Sequence, residues 1–188
     1  MLMETGKQVT SFFSEDITSM VDFSKYKGGK VLFIDFPKLF DLTVLSLTNE
    51  NADELFTIVN EKTFSWLSGI INGLKQTRFE SNVIKEPDNF FDLIILFYPG
   101  YNDNFALYDE LYRVLKGGKT LLMMESNNPL EKIDHFAVEI LLNDYWPIDY
   151  KIKQDIAYIE NSLKKAFQNE EFESLSIKGL ELRVFSKI

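Results

Sequence analysis

Residues 90–97 read Phe90-Phe91-Asp92-Leu93-Ile94-Ile95-Leu96-Phe97, apolar throughout except for Asp92. A strand of this composition has no face to offer water. It needs cover on both sides, as in a parallel sheet with helices above and below. Pro87-Asp88-Asn89 makes a turn before it, and Tyr98-Pro99-Gly100 ends it. Over 104–116, Asn104 can cap a helix that points Leu107, Leu111, Val114 and Leu115 one way and stops at Gly117-Gly118. Residues 119–125, Lys-Thr-Leu-Leu-Met-Met-Glu, then predict a second buried strand. Strand, helix and strand in succession indicate an α/β fold.

The remaining segments extend that pattern. Residues 31–36 predict a strand covered on both faces, and the β-branched run 43–48 predicts another. Asn51 and Glu54 have capping-box spacing, which predicts a helix with Leu55, Ile58 and Val59 on one side. Residues 63–76 extend it, with Gly69 and Gly73 weighing against. Helical spacing recurs over 130–145 and again from Ile152 to Phe167. Alternation at Phe172, Leu175 and Ile177, then at Leu180, Leu182 and Val184, predicts a closing hairpin around Lys178-Gly179. The expected organisation is a helical lead-in over 1–29 and one α/β domain over 30–188, with a variable insertion at 126–155.

Charge and composition exclude several function classes. With 20 Lys+Arg against 29 Asp+Glu, a net charge of −9 argues against a nucleic-acid partner and against docking on anionic lipid. The absence of Cys rules out thiolate chemistry, and the single His135 rules out a multi-histidine metal site, so no metal is expected. No apolar run reaches the roughly 20 residues of a membrane helix. Residues 1–7 lack a signal-peptide core, so a cytoplasmic protein is expected.

The segment 89–125, and above all Glu110-Leu111-Tyr112-Arg113-Val114-Leu115-Lys116-Gly117-Gly118, resembles the fourth strand, following helix and fifth strand of class I S-adenosylmethionine-dependent methyltransferases. The last helix and the closing hairpin are similar to the end of that family. The resemblance implies a Rossmann-like, mostly parallel sheet with helices on both faces and a C-terminal antiparallel hairpin. It also implies S-adenosylmethionine as cofactor, held where the first strands end. Read from the residues alone, 110–118 is an amphipathic helix end, a glycine stop and a strand start. It supports the fold and carries no chemistry.

The cofactor corner departs from the family pattern. Where the family has a Gly-rich turn, this chain has Ile34-Asp35-Phe36-Pro37-Lys38, with no glycine. Asp35 can imitate the family's acid at this turn, Phe36 adds bulk where main chain must come close, and Pro37 removes an N–H donor. Six residues, 37–42, link the two expected strands, too few for an ordinary parallel crossover. An extended strap or an antiparallel pairing is therefore expected there, without the family's helix. Asn49 and Glu50 stand nearest the family's ribose-binding acid, although 49–54 also reads as helix capping. Glu86, like Asp88, is a candidate for an adenine-like amino group, or simply part of a turn. Tyr98 is a candidate to touch the cofactor, and Tyr98 and Asn102 are candidates to face a substrate. Two readings follow. One is a methyltransferase-like protein with a degenerate S-adenosylmethionine site, serving as a non-catalytic binding or scaffold protein with a protein partner or a second copy. The other is an active methyltransferase acting on a small molecule.

Overall fold

The computed structural model describes residues 14–34, 44, 45, 47–59, 61–97, 105–126, 156–168, 172–177 and 180–188. Its elements are α1 (Ser14–Met20), a 3-10 turn (Phe23–Tyr26), β1 (Lys30–Ile34), β2 (Glu54–Ile58), α2 (Glu61–Ile70) and β3 (Lys75–Gln76). After them come β4 (Phe79–Glu80), β5 (Val83–Ile84), β6 (Phe91–Phe97), α3 (Phe105–Val114), β7 (Leu115–Ser126), α4 (Ile156–Phe167), β8 (Glu173–Ile177) and β9 (Leu180–Ser186). Seven strands form one sheet in the order β3-β2-β1-β6-β7-β9-β8, and β4 and β5 form a separate small hairpin. The first five strands of that order run parallel. β9 lies antiparallel to both β7 and β8, as expected for the closing hairpin.

Side-chain alternation splits the buried residues into two layers. Val31 and Phe33 of β1, Leu93 and Ile95 of β6, and Leu122 and Met124 of β7 point to one face. There they meet Ile17 of α1, Leu67 of α2, and Val44 and Leu45. Leu32, Ile34, Ile94, Leu96, Leu121 and Met123 point to the other face, against Leu107, Leu111 and Val114 of α3 and Ile159, Leu163 and Phe167 of α4. The sheet is therefore covered on both sides, as the apolar run at 90–97 requires.

One expected strand is a helix. Residues 44, 45 and 47–49 are helical, and the chain neighbour of β1 in the sheet is β2, paired in parallel from Lys30↔Glu54 to Ile34↔Ile58. Apolar residues at 44, 45 and 47 with Thr48 fit a helical face, and the Thr48 hydroxyl donates to the Val44 carbonyl at 2.7 Å. Asn51 serves the end of this helix rather than the start of the next: its side-chain amide donates to the Leu47 carbonyl at 2.9 Å. The expected capping box and helix at 51–59 give way to β2. The short strap and the antiparallel pairing are overturned as well, since residues 35–53 connect the two parallel strands and include helix. Gly69 does not prevent α2, and the expected helix at 130–145 lies outside the described residues.

The amino ends of the strands are locked by polar contacts. Gly28 (φ +76°) and Gly29 turn the chain into β1, and the Gly29 carbonyl accepts the N–H groups of Asp53 and Glu54 at 3.0 and 3.3 Å. A Cβ on Gly29 would lie 3.0 Å from the Tyr26 carbonyl and 3.1 Å from Asp92 Cβ, so only glycine fits comfortably. Asp92 accepts the Lys30 N–H at 3.0 Å and the Lys116 ammonium at 2.7 Å. Partial burial acts to raise its pKa, but these hydrogen bonds and the Lys116 and Lys119 charges outweigh it and hold the carboxyl below its usual range.

On the other layer, Arg113 donates to Glu110, Asp88 and the carbonyls of Ile84 and Glu86, while Glu110 accepts the Ile84 N–H at 2.8 Å. The pair in the Glu110–Arg113 segment thus fastens the β4–β5 hairpin to α3, a supporting role. Lys187 reaches the end of α3, donating to the Tyr112 and Leu115 carbonyls at 2.7 and 2.6 Å and to Asn89 at 3.0 Å.

Replacing Lys187 by Met strands those carbonyls, and urea unfolding of Lys187→Met should show a loss of about 1–3 kcal/mol; an unchanged midpoint contradicts this role. A depressed Asp92 pKa contributes stability above the unfolded carboxyl value of about 4, which is lost as pH falls further through the folded value. The stability of Asp92→Asn should accordingly fall less steeply than that of the wild type below about pH 4, measured by denaturant unfolding at stepped pH.

Candidate functional site

In an open parallel sheet, a ligand crevice forms outside the carboxyl ends of the strands, where the strand order reverses. In this chain that point lies between β1 and β6, beyond Ile34 and Phe97. Asp35 and Phe36 follow β1, and Tyr98 and Asn102 follow β6; all four lie outside the described residues.

The other candidates are at the opposite end. Asn49 and Glu50 close the helical segment before β2, so both sit on its amino side and are exposed. Both follow 43–48, the expected second strand, whereas the second strand begins at Glu54. Glu86 precedes β6. Its carbonyl accepts from Arg113 at 3.0 Å, on the last turn of α3, where the chain enters the amino end of β7. The structure therefore does not bring Asn49, Glu50 or Glu86 to the carboxyl edge of the sheet.

With β2 at Glu54–Ile58, the acid that follows the second strand is Glu61, the first residue of α2. The signal that locates it is the β-branched run Thr57-Ile58-Val59, which continues a strand better than a helix. Arg78 stands opposite, just past β3. It donates to Glu61 at 2.6 Å and to Glu80 at 3.3 Å, and the Glu61 side chain is 70% exposed. Such an exposed pair adds little stability. A carboxylate at a helix start is also favoured by the helix dipole, with no ligand needed.

Main chain and side chains tie β2 to β3 at this edge. Gln76 donates from its amide to the Val59 carbonyl at 3.0 Å, and the Thr77 N–H donates to the Thr57 carbonyl at 3.0 Å. Thr77 is 2% exposed, and its hydroxyl has no hydrogen-bond partner among the described residues. An unpaired buried hydroxyl costs about 1–3 kcal/mol, which makes it an unused polar group at the carboxyl edge.

S-adenosylmethionine, the cofactor implied by the resemblance, meets a mixed donor set. Glu61 has the residue type and strand position for ribose hydroxyls, but Arg78 engages its carboxylate. The passage from β1 to α2 offers no glycine, because the chain has none between Gly29 and Gly69, and Gly28 and Gly29 serve the amino end of β1. Among the described residues, no group of three His, Asp or Glu side chains can hold a metal ion, and no helix is long and apolar enough to cross a membrane. Because an exposed ion pair contributes little, Glu61→Gln should change stability by less than about 1 kcal/mol. A larger loss in urea unfolding would show Glu61 to be structural.

No family model matches the chain, and no curated protein matches its sequence. Solved structures do match. A protein of Methanococcus maripaludis, described as a candidate S-adenosyl-L-methionine-dependent methyltransferase, superposes with a TM-score of 0.63 at 14% identity, covering 99% of this chain and 90% of its own. A SAM-dependent methyltransferase of Aquifex aeolicus gives 0.59 at 16% identity, with 96% and 93% covered. PigF with SAH gives 0.55 at 17% identity, over 98% of this chain and 56% of that one. At these identities the likeness concerns architecture, and it agrees with the strand order and the antiparallel β9 described above. The chain has the Rossmann-like fold of the class I S-adenosylmethionine-dependent methyltransferases.

Proposed function

We propose that this chain is a methyltransferase-fold protein whose S-adenosylmethionine site is degenerate, and that it acts in the cytoplasm as a non-catalytic binding or scaffold protein. The observation that carries this reading is the absence of any glycine from 30 to 68, which spans the whole passage from β1 through β2 into α2. A nucleoside and its methionine tail need main chain that can come close without a Cβ, and free N–H groups to receive charge. Asp35-Phe36-Pro37 supplies bulk and removes a donor there. The Arg78–Glu61 pair adds to the same reading, since a ribose would have to compete with a guanidinium for that carboxylate. A protein partner or a second copy of the chain is the binding target under this reading.

Two observations favour the alternative, an active enzyme acting on a small molecule. The acid Glu61 stands after β2, and helix does precede β2, so the corner keeps more of the family's frame than a six-residue strap would allow. The Thr77 hydroxyl is an unused buried polar group at the same edge.

Calorimetric titration with S-adenosylmethionine and S-adenosylhomocysteine separates the two. The proposal expects no saturable heat into the millimolar range. Micromolar binding of either ligand, weakened in Glu61→Gln, establishes the alternative.

A further inference from the structure

We infer that Asn72 is a site of spontaneous backbone modification, deamidating through the adjoining Gly73 to aspartate and isoaspartate. Asn72-Gly73 is the one Asn-Gly step in the chain. It lies in the turn between α2 and β3, and both residues are exposed. Three features leave the reaction unobstructed. Neither the Asn72 side chain nor the Gly73 N–H is held by a hydrogen bond among the described residues. Gly73 has φ +78°, outside the helical region. Nothing lies within 4 Å of where a Gly73 Cβ would stand, so there is room for a ring to close.

In the reaction, the Gly73 backbone nitrogen attacks the Asn72 side-chain carbonyl carbon. The new C–N bond closes a five-membered succinimide. The bond to the amide nitrogen breaks, and ammonia leaves with the proton lost by Gly73. Water then adds to either ring carbonyl and opens the ring to aspartate or isoaspartate. Nothing is oxidised or reduced, and water is the only co-reactant.

Three other described asparagines are restrained or hindered. The Asn51 amide donates to Leu47, and Asn89 accepts from Lys187. Asn82 is followed by the β-branched Val83, which hinders attack by the next nitrogen.

The product places a carboxylate just past the C-terminus of α2, where the helix dipole disfavours an anion. Isoaspartate also adds a methylene to the main chain between Ile71 and Leu74, which are 5% and 8% exposed. Ageing of this turn therefore loosens β3, the edge strand that leads to Thr77 and Arg78.

The test is incubation of the folded full chain at mildly alkaline pH and physiological temperature, followed by tryptic mapping. The peptide 63–75 contains Asn72 as its only asparagine, and the peptide 79–85 contains only Asn82. The 63–75 peptide should gain about 1 Da, with isoaspartate identified by fragmentation, faster than 79–85, where the β-branched Val83 follows Asn82. Asn72→Gln should abolish the gain and leave the unfolding midpoint of incubated protein unchanged with time. Equal rates in the two peptides, or a 63–75 peptide that is stable in the folded chain while it deamidates in urea, would overturn the assignment.

Discussion

β6 runs between two apolar layers, so neither of its faces can meet water. Leu93 and Ile95 are covered by the layer that contains Leu67 and Val44, and Ile94 and Leu96 by the layer that contains Leu111 and Ile159. A strand buried in this way must have neighbours on both edges and helices on both faces. β1 and β7 supply the edges, and four helices with the 44–49 segment supply the faces. Once the centre of the sheet is filled with aliphatic side chains, polar chemistry is confined to the strand ends.

The two ends are used differently. At the amino end, Asp92, Gly29 and Lys187 join successive elements through hydrogen bonds to backbone groups, and Lys116 donates to the Asp92 carboxylate. The flexible glycines and several of the best-satisfied charges are committed there. At the carboxyl end, beyond β2 and β3, the described side chains include an exposed Glu61–Arg78–Glu80 chain and the Thr77 hydroxyl, which has no partner among the described residues. Among the described glycines, Gly28 and Gly29 lie at the end opposite to the one where an open parallel sheet receives a ligand. Fold alone does not decide function.

Much of the architecture was legible because burial leaves a pattern in sequence. The run at 90–97, the stripe of α3 and the alternation at 180–184 each carry a period that matches the element formed. The stretch 43–59 misleads for a physical reason. Thr43-Val44-Leu45 is β-branched and apolar, yet Val44 and Leu45 pack as a helical face under the sheet. Asn51 has the chemistry to cap either a helix start or a helix end, and spacing to Glu54 cannot tell which carbonyl or N–H it will meet; here it meets Leu47. That single ambiguity shifts the second strand by about ten residues, and Glu61 in place of Asn49 or Glu50 follows from it. Arg78 and Thr77 had no sequence signal, since their position depends on a two-residue strand.

The proposed scaffold role stands or falls on whether the carboxyl edge of this sheet receives a nucleoside. Protein-observed NMR with S-adenosylhomocysteine reads that edge directly, through the amides of 57–61 and 76–80. In a scaffold protein these resonances stay in place at millimolar ligand, with the Glu61–Arg78 contact undisturbed. Saturable shifts concentrated at Glu61, Thr77 and Arg78 would contradict it and mark a working cofactor site.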